Sequence, residues 1–292
     1  MSSAPQAGVR TYNPSVRVGN WSEDVSLEED TIKDYLEQRA SGQLLVQKVH
    51  TLNDTILKPI QLSQTADGFV HYGDVVLLQH AASQRAVSAE VKPLDAYQSP
   101  ALTAPCNVSA GDVIEPCARN AYVIFGCDNN PIGNPLVYNQ PFYLKTLSGA
   151  GGELFLHSEM ATFQKCAKKS REQLVTLVEQ PSVETAWKIH CFNPQERLES
   201  EGYPVKANRP ILINHFQTNK NLAYMQEFSF KTMFGREHEV VAKTILDSHK
   251  AETPANHFSL TMRAPSQEET GQQAAGTSAS GPEGAEPQPT ST

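Results

Sequence analysis

At 292 residues, with 39% hydrophobic and 19% charged side chains, the chain is long enough to bury a sizeable core in one large or two small domains. A formal charge of −8 and a pI near 5.6 exclude the basic surface that nucleic acid requires and disfavour an anionic membrane as partner. No apolar run approaches the roughly 20 residues of a membrane span. The opening MSSAPQAGVRTYNP has no apolar h-region either, so a cytoplasmic protein without a signal peptide is expected.

The first predicted element lies in VRVGNWSEDVSLEEDTIKDYLEQRASGQLL. Ser26 followed by Glu29 reads as a capping box, in which each side chain satisfies a backbone N–H of the first turn. Glu28, Glu29 and Asp30 suit the positive end of the helix dipole, Glu29 and Lys33 form an i,i+4 pair, and Gly42 is a natural stop. The spacing predicts a helix over 26–40 within an N-terminal arm, 1–43. Its apolar stripe is thin: Leu27, Ile32, Tyr35 and Leu36. Such a stripe seats a helix on a surface, either of its own domain or of a partner. Trp21, just ahead of the cap, is the expected aromatic anchor of this arm. Trp21, Ile32, Tyr35 and Leu36 are therefore candidate partner-binding residues.

From 44 to 262 the signals turn to β. LLVQKV, IQLSQ, FVHYG, VVLLQ, YVIFG, PFYLKT, LFLHS, WKIH and PILINH are short runs separated by Gly, Pro and Asn. Asp67-Gly68 between IQLSQ and FVHYG predicts a hairpin turn. Two helices are expected to interrupt, one over 165–180 in KCAKKSREQLVTLVEQ and one over 235–247. Lys165, Lys168, Lys169 and Arg171 would form a basic face on the first. That face is either solvated or a contact for an acidic partner.

Three segments look like copies of one strand: HYGDVVLLQH, NQPFYLKT and NRPILINH. From Asp74, Gln140 and Arg209, just ahead of these strands, to the aromatics Tyr122, Trp187 and Phe258, the separations are 48, 47 and 49 residues. The strand after each copy also repeats, as QRAVSAE, GELFLHSE and KNLAYMQ. A period of this size means one supersecondary unit repeated, each unable to close a core alone. The expected fold is mostly β: a single β-trefoil-like domain over 44–263, with units near 68–126, 136–192 and 205–263. A closed barrel of this kind leaves few strand edges open. Beyond it, 264–292 has no aromatic and no aliphatic larger than Ala, and its four glutamates supply half of the net charge. Such a composition predicts a disordered acidic tail.

Signals for chemistry are weak. Five cysteines, with no CxxC pair, suit neither a disulfide scaffold nor a zinc site. The sequons at Asn20, Asn53 and Asn107 carry no consequence without a signal peptide. His190 and Cys191 are neighbours in an expected core strand, so they point to opposite faces and cannot form a nucleophilic pair. His71, His80, His157 and His215 fall near strand ends, where a threefold barrel could bring them together, although rim histidines are usually just hydrogen-bonded. Gly149 to Gly152 lacks the following GK[ST] of a phosphate loop, and no HExxH, GxSxG or EF-hand loop occurs. No catalytic residue, cofactor or metal is expected.

The segments VRVGNWSEDVSLEED, DGFVHYGDVVLL, ILINHFQTNKNLA and TILDSHKAETPANHF resemble the cilia- and flagella-associated protein 161 family, over 16–262. The stretch 16–30 is the most specific part, whereas the tail and 84–105 resemble nothing familiar. The resemblance implies a microtubule inner protein of motile cilia with a MIR-like trefoil body. On that reading the protein has no enzymatic activity and binds in the lumen of axonemal doublet microtubules. Tubulin and other inner proteins would be its partners, with no nucleic acid and no membrane. Its place would be the cytoplasm, the cytoskeleton and the axoneme of the cilium or flagellum. The alternative is a carbohydrate- or ligand-binding module, because MIR-like trefoils resemble lectins and HFQTNKNLAY could stack on a sugar.

Overall fold

The computed structural model describes residues 21–64, 67–127, 130–148 and 152–263. Within these, twelve strands carry the body: β1 (Val75–His80), β2 (Ala86–Ala89), β3 (Cys106–Gly111), β4 (Ala121–Gly126), β5 (Phe142–Thr146), β6 (Phe155–Ser158), β7 (Gln173–Val178), β8 (Trp187–Cys191), β9 (Pro210–His215), β10 (Leu222–Thr232), β11 (Gly235–Ala242) and β12 (Phe258–Thr261). Six close a barrel: β1 pairs with β4, β4 with β5, β5 with β8, β8 with β9, β9 with β12, and β12 returns to β1, all antiparallel. The other six form the hairpins β2–β3, β6–β7 and β10–β11. Their second strands β3, β7 and β11 pair with one another in a triangle that caps the barrel. This is a β-trefoil, in which each unit supplies two barrel strands and one hairpin.

The register confirms the repeat read from the spacing. Tyr122 stands between Val76 and Thr146, Trp187 between Phe142 and His215, and Phe258 between Ile211 and His80. The first strand therefore aligns through Val76, one residue beyond Val75. All three aromatics are fully buried. They occupy the barrel interior at one level, where three large rings fill the space that small side chains would leave open.

Two helices precede the trefoil, α1 (Trp21–Ala40) and α2 (Leu45–Ile56). The arm helix starts at Trp21 and not at 26, so Ser26 is an interior residue and not a cap. Glu23 and Asp24 occupy the first turn instead, where the dipole favours them. LLVQKV is not a strand. Leu45, Val49, Leu52 and Ile56 recur at helical spacing, Leu52 and Ile56 are buried, and Val49 packs against them. Lys48 lies 5.0 Å over the Tyr97 ring, tying α2 to the 3-10 turn Pro93–Tyr97.

Both interrupting helices expected within the β region are strands. Over 165–180, QLVTLV alternates buried and half-exposed residues as β7. The charged run before it folds as a turn closed by Ala167 N–H to Glu172 O (2.9 Å) and Arg171 N–H to Ala167 O (3.1 Å). Over 235–247 the chain runs as β11 to Ala242, paired along its length with β10, and leaves the sheet beyond it. Helix propensity loses in both places to cross-strand partners supplied by the repeat. Nor does Asp67-Gly68 join a hairpin: Gln64 bridges to Arg263 and Phe69 to Lys206, both in the third unit. The expected acidic tail, 264–292, and most of Gly149 to Gly152 lie outside the described residues.

One charge pair lies wholly inside. Arg119 and Glu237 are each 1% exposed and joined side chain to side chain. Arg119 also donates to Ala89 O (2.6 Å), Ser109 donates to Glu237 (2.8 Å), and the guanidinium sits 4.0 Å over the Phe234 ring. The pair bridges the first unit to the hairpin of the third. A buried carboxylate and guanidinium survive there because they pair with each other and make further hydrogen bonds, from Ser109 and to Ala89 O.

Candidate docking surfaces

The groups that could do chemistry are engaged in holding the fold. His80, Thr146 and His215 occupy equivalent positions at the ends of β1, β5 and β9. His80 Nδ1 meets Ser83 Oγ and Nε2 meets Pro254 O, each at 2.8 Å. His215 repeats the device with Thr218 Oγ1 (2.8 Å) and Glu184 O (2.9 Å). Each ring thus fastens its own hairpin entry to the 3-10 turn of the preceding unit. Thr146 does the local half of the same task, donating to Gly152 O (3.0 Å) and accepting from Leu154 N–H (2.9 Å). Burial pushes the pKa of both histidines down, in each case outweighing a backbone carbonyl that favours the proton.

The four strand-end histidines are not brought together. His71 lies against Asp67 (3.1 Å), and only His157 and His215 share a residue, His157 meeting Glu184 Oε2 (3.1 Å) and Thr176 (3.1 Å) while His215 meets Glu184 O. His190 and Cys191 are half-buried, not core residues, because the end of β8 turns toward the surface. No cluster of three or more metal-ligating side chains occurs among the described residues. No described helix is long and apolar enough to cross a membrane. In the stretch HFQTNKNLAY, Asn221 and Phe216 are engaged, while Gln217 and Asn219 are exposed. Asn214 Nδ2 donates to Asn221 Oδ1 (2.9 Å), and Lys188 lies 4.8 Å over the Phe216 ring.

What remains open is surface. From 22 to 40, every residue of α1 except the half-exposed Asp24 is exposed. Val25, Ile32, Tyr35 and Leu36 fall on one side at 100° per residue, and are 44%, 58%, 50% and 51% exposed. Leu27 falls on the opposite side and leaves the stripe. Trp21 opens the helix backbone, and its side chain lies outside the described residues. The arm helix is not seated on its own domain.

The basic cluster is also displaced from its expected setting. Lys165, Lys168, Lys169 and Arg171 sit in the loop between β6 and β7, not on a helix. Lys165 pairs with Glu159 (2.9 Å), and Lys169 donates through Nζ to Ser229 O. Arg171 takes positive φ (62°) and reaches Cys166 Sγ (3.5 Å). Glu239, almost buried, accepts the backbone N–H groups of Lys169 (2.8 Å) and Ser170 (2.9 Å) and so fixes the loop on β11. The cluster and the arm stripe do not meet. Two loop residues escaped the sequence reading: Met160 is 70% exposed and Phe163 is 91% exposed. The only signal for them is negative, since EMATFQKC has neither alternation nor helical period.

The cilia- and flagella-associated protein 161-like domain matches this chain over residues 48–263. The chain belongs to the cilia- and flagella-associated protein 161 family. Cilia- and flagella-associated protein 161 of Danio rerio is 43% identical over 272 residues, spanning 89% of this chain and 90% of its own. That of Mus musculus is 40% identical over 272 residues, spanning 87% and 89%. Among solved structures, a Caenorhabditis elegans protein described as having unknown function aligns with a TM-score of 0.50 at 17% identity, covering 68% of this chain and 98% of that one. It shares the fold. The SDF2-like protein from Arabidopsis thaliana reaches a TM-score of 0.49 at 13% identity, over 65% and 93% of the two chains. The domain of the cilia- and flagella-associated protein 161 family thus covers the trefoil and begins inside α2. The exposed arm helix α1 lies ahead of it.

Proposed function

We propose that this protein is a structural component of the axonemal doublet microtubule. It binds the luminal tubulin wall and neighbouring inner proteins through its surface and performs no reaction of its own. The observation that carries the reading is a helix with an uncovered apolar stripe projecting from a closed trefoil, in a chain of a family named for cilia and flagella. Each of the six barrel strands has two partners, so the barrel itself offers no strand edge. An ordered helix beside a compact body adds contacts at little further ordering cost. The histidines and the buried Arg119–Glu237 pair support the non-enzymatic reading, because their polar atoms are spent on loops and hairpins.

The test compares the tagged full-length chain with one lacking residues 1–40 in ciliated cells, by localisation and by imaging of isolated doublet microtubules. The full-length protein is expected as density on the luminal wall. The truncated chain is expected to melt normally and fail to enter axonemes. Full-length protein absent from axonemes overturns the reading. Truncated protein that incorporates normally removes the arm from it.

A further inference from the structure

Two uncovered surfaces of this chain complement each other. Helix α1 presents Val25, Ile32, Tyr35 and Leu36, and its twenty residues WSEDVSLEEDTIKDYLEQRA carry seven acidic and two basic side chains. At 100° per residue Glu28 falls within the stripe, between Ile32 and Tyr35, and Glu29 borders it beside Leu36. The β6–β7 loop presents the opposite pattern: Met160 and Phe163 stand in solvent, followed by Lys165, Lys168, Lys169 and Arg171. We infer that α1 of one copy docks on the β6–β7 loop of a second copy, so that copies join head to tail.

Three observations favour a second copy over other occupants. The two patches match in kind, apolar against apolar, with acidic side chains against basic ones, which steers encounter and fixes register. The contact is not made within one chain, since no described residue of α1 is buried. The receiving loop is preorganised: Thr162 N–H donates to Lys165 O (3.0 Å), Lys165 N–H to Thr162 Oγ1 (3.0 Å), and Glu239 holds the backbone at 169 and 170. A rigid loop lifting a phenylalanine into water is the arrangement of an interface anchor, because little side-chain or loop freedom remains to be lost on binding. The two patches are different surfaces, so the contact is heterologous. Unless the rotation closes a ring, such contacts build open chains. This deepens the attachment role proposed for the arm, on which it rests, by naming what the arm meets.

Sedimentation velocity of the full-length protein over rising concentration at low salt tests it. Species growing beyond a dimer, and dispersing as salt is raised, are expected. An arm-reversed variant (Glu28→Lys with Glu29→Lys) and a loop-reversed variant (Lys168→Glu with Arg171→Glu) should each associate at least tenfold more weakly. Mixing the two should restore association, because each arm then finds a loop of opposite sign. A wild-type protein that stays monomeric throughout overturns the inference. So does association that both reversals leave unchanged, or a mixture that stays monomeric. These outcomes are separable from the function proposed above: an arm that is needed for entry into axonemes in a protein that is monomeric in solution retains that reading and sinks this one.

Discussion

Helices α1 and α2 are separated by four residues and have opposite fates. α2 turns Leu52 and Ile56 into the core, and Lys48 over Tyr97 ties it down. α1 is longer, yet buries none of its described side chains. Twelve residues with a coherent apolar face are worth more to the body than twenty with a narrow one, because burial scales with apolar area removed from water and not with helix length. The difference separates a part that completes the trefoil from a part left for another molecule.

The largest effect expected from this contrast is on the α2 side. Ile56 is 0% exposed, so Ile56→Ala should destabilise the protein by about 2–5 kcal/mol, read from urea unfolding of the purified chain. A loss below about 1 kcal/mol would mean that α2 is as loosely attached as α1. The distinction between seated and projecting helices would then fail.

The same contrast explains what could be read before the fold was known. The repeat was legible because three large aromatics recur at nearly constant spacing, and a barrel level needs such residues at equivalent registers. Tyr122, Trp187 and Phe258 duly stand opposite Thr146, His215 and His80. The short elements between them were not. LLVQKV suits a helix or a strand over six residues, and only the continuation to Leu52 and Ile56 decides it. KKSREQLVTLV has helix formers, but its partners on β6, β3 and β11 lie far away in sequence. The stripe of α1 was read nearly correctly, losing Leu27 and gaining Val25, since helical period is a local property. Met160 and Phe163 were invisible, because an apolar residue in a loop looks the same in sequence whether buried or standing in water.

A smaller effect belongs to pH and concerns the body alone. His80 and His215 are held neutral, with folded pKa values below the ordinary 6.5 because burial disfavours the charged ring. The unfolded chain then binds more protons below about 6.5, so stability is full above that value. It falls as the pH drops from there toward the lowered folded pKa. The melting temperature should decline as the pH falls below about 6.5, and His80→Asn with His215→Asn should flatten the slope. His215 faces Thr218, Glu184 and His157, and His80 faces Ser83, Tyr224 and His257, with no carboxylate bonded to either ring. An unchanged slope in the double variant would show that other groups carry the acid sensitivity.

The smallest effect on stability is expected where the sequence looks most like an interface. Ile32→Ala repeats the chemistry of Ile56→Ala on the other helix, with Ile32 at 58% exposure and Ile56 at 0%. Removing an exposed side chain leaves no cavity, so the change in unfolding free energy should stay within about 0.5 kcal/mol. A small part of it comes from alanine's better helix propensity and is stabilising in sign. Association should respond in the other direction. If the stripe is covered by a partner, Ile32 is desolvated only in the complex, and Ile32→Ala should weaken binding by about 1–3 kcal/mol while the melting curve is unchanged. Both quantities come from one preparation, by calorimetry and by the sedimentation or axoneme assay. A loss of stability with unchanged binding would place α1 against its own domain in solution and reverse the roles of the two helices.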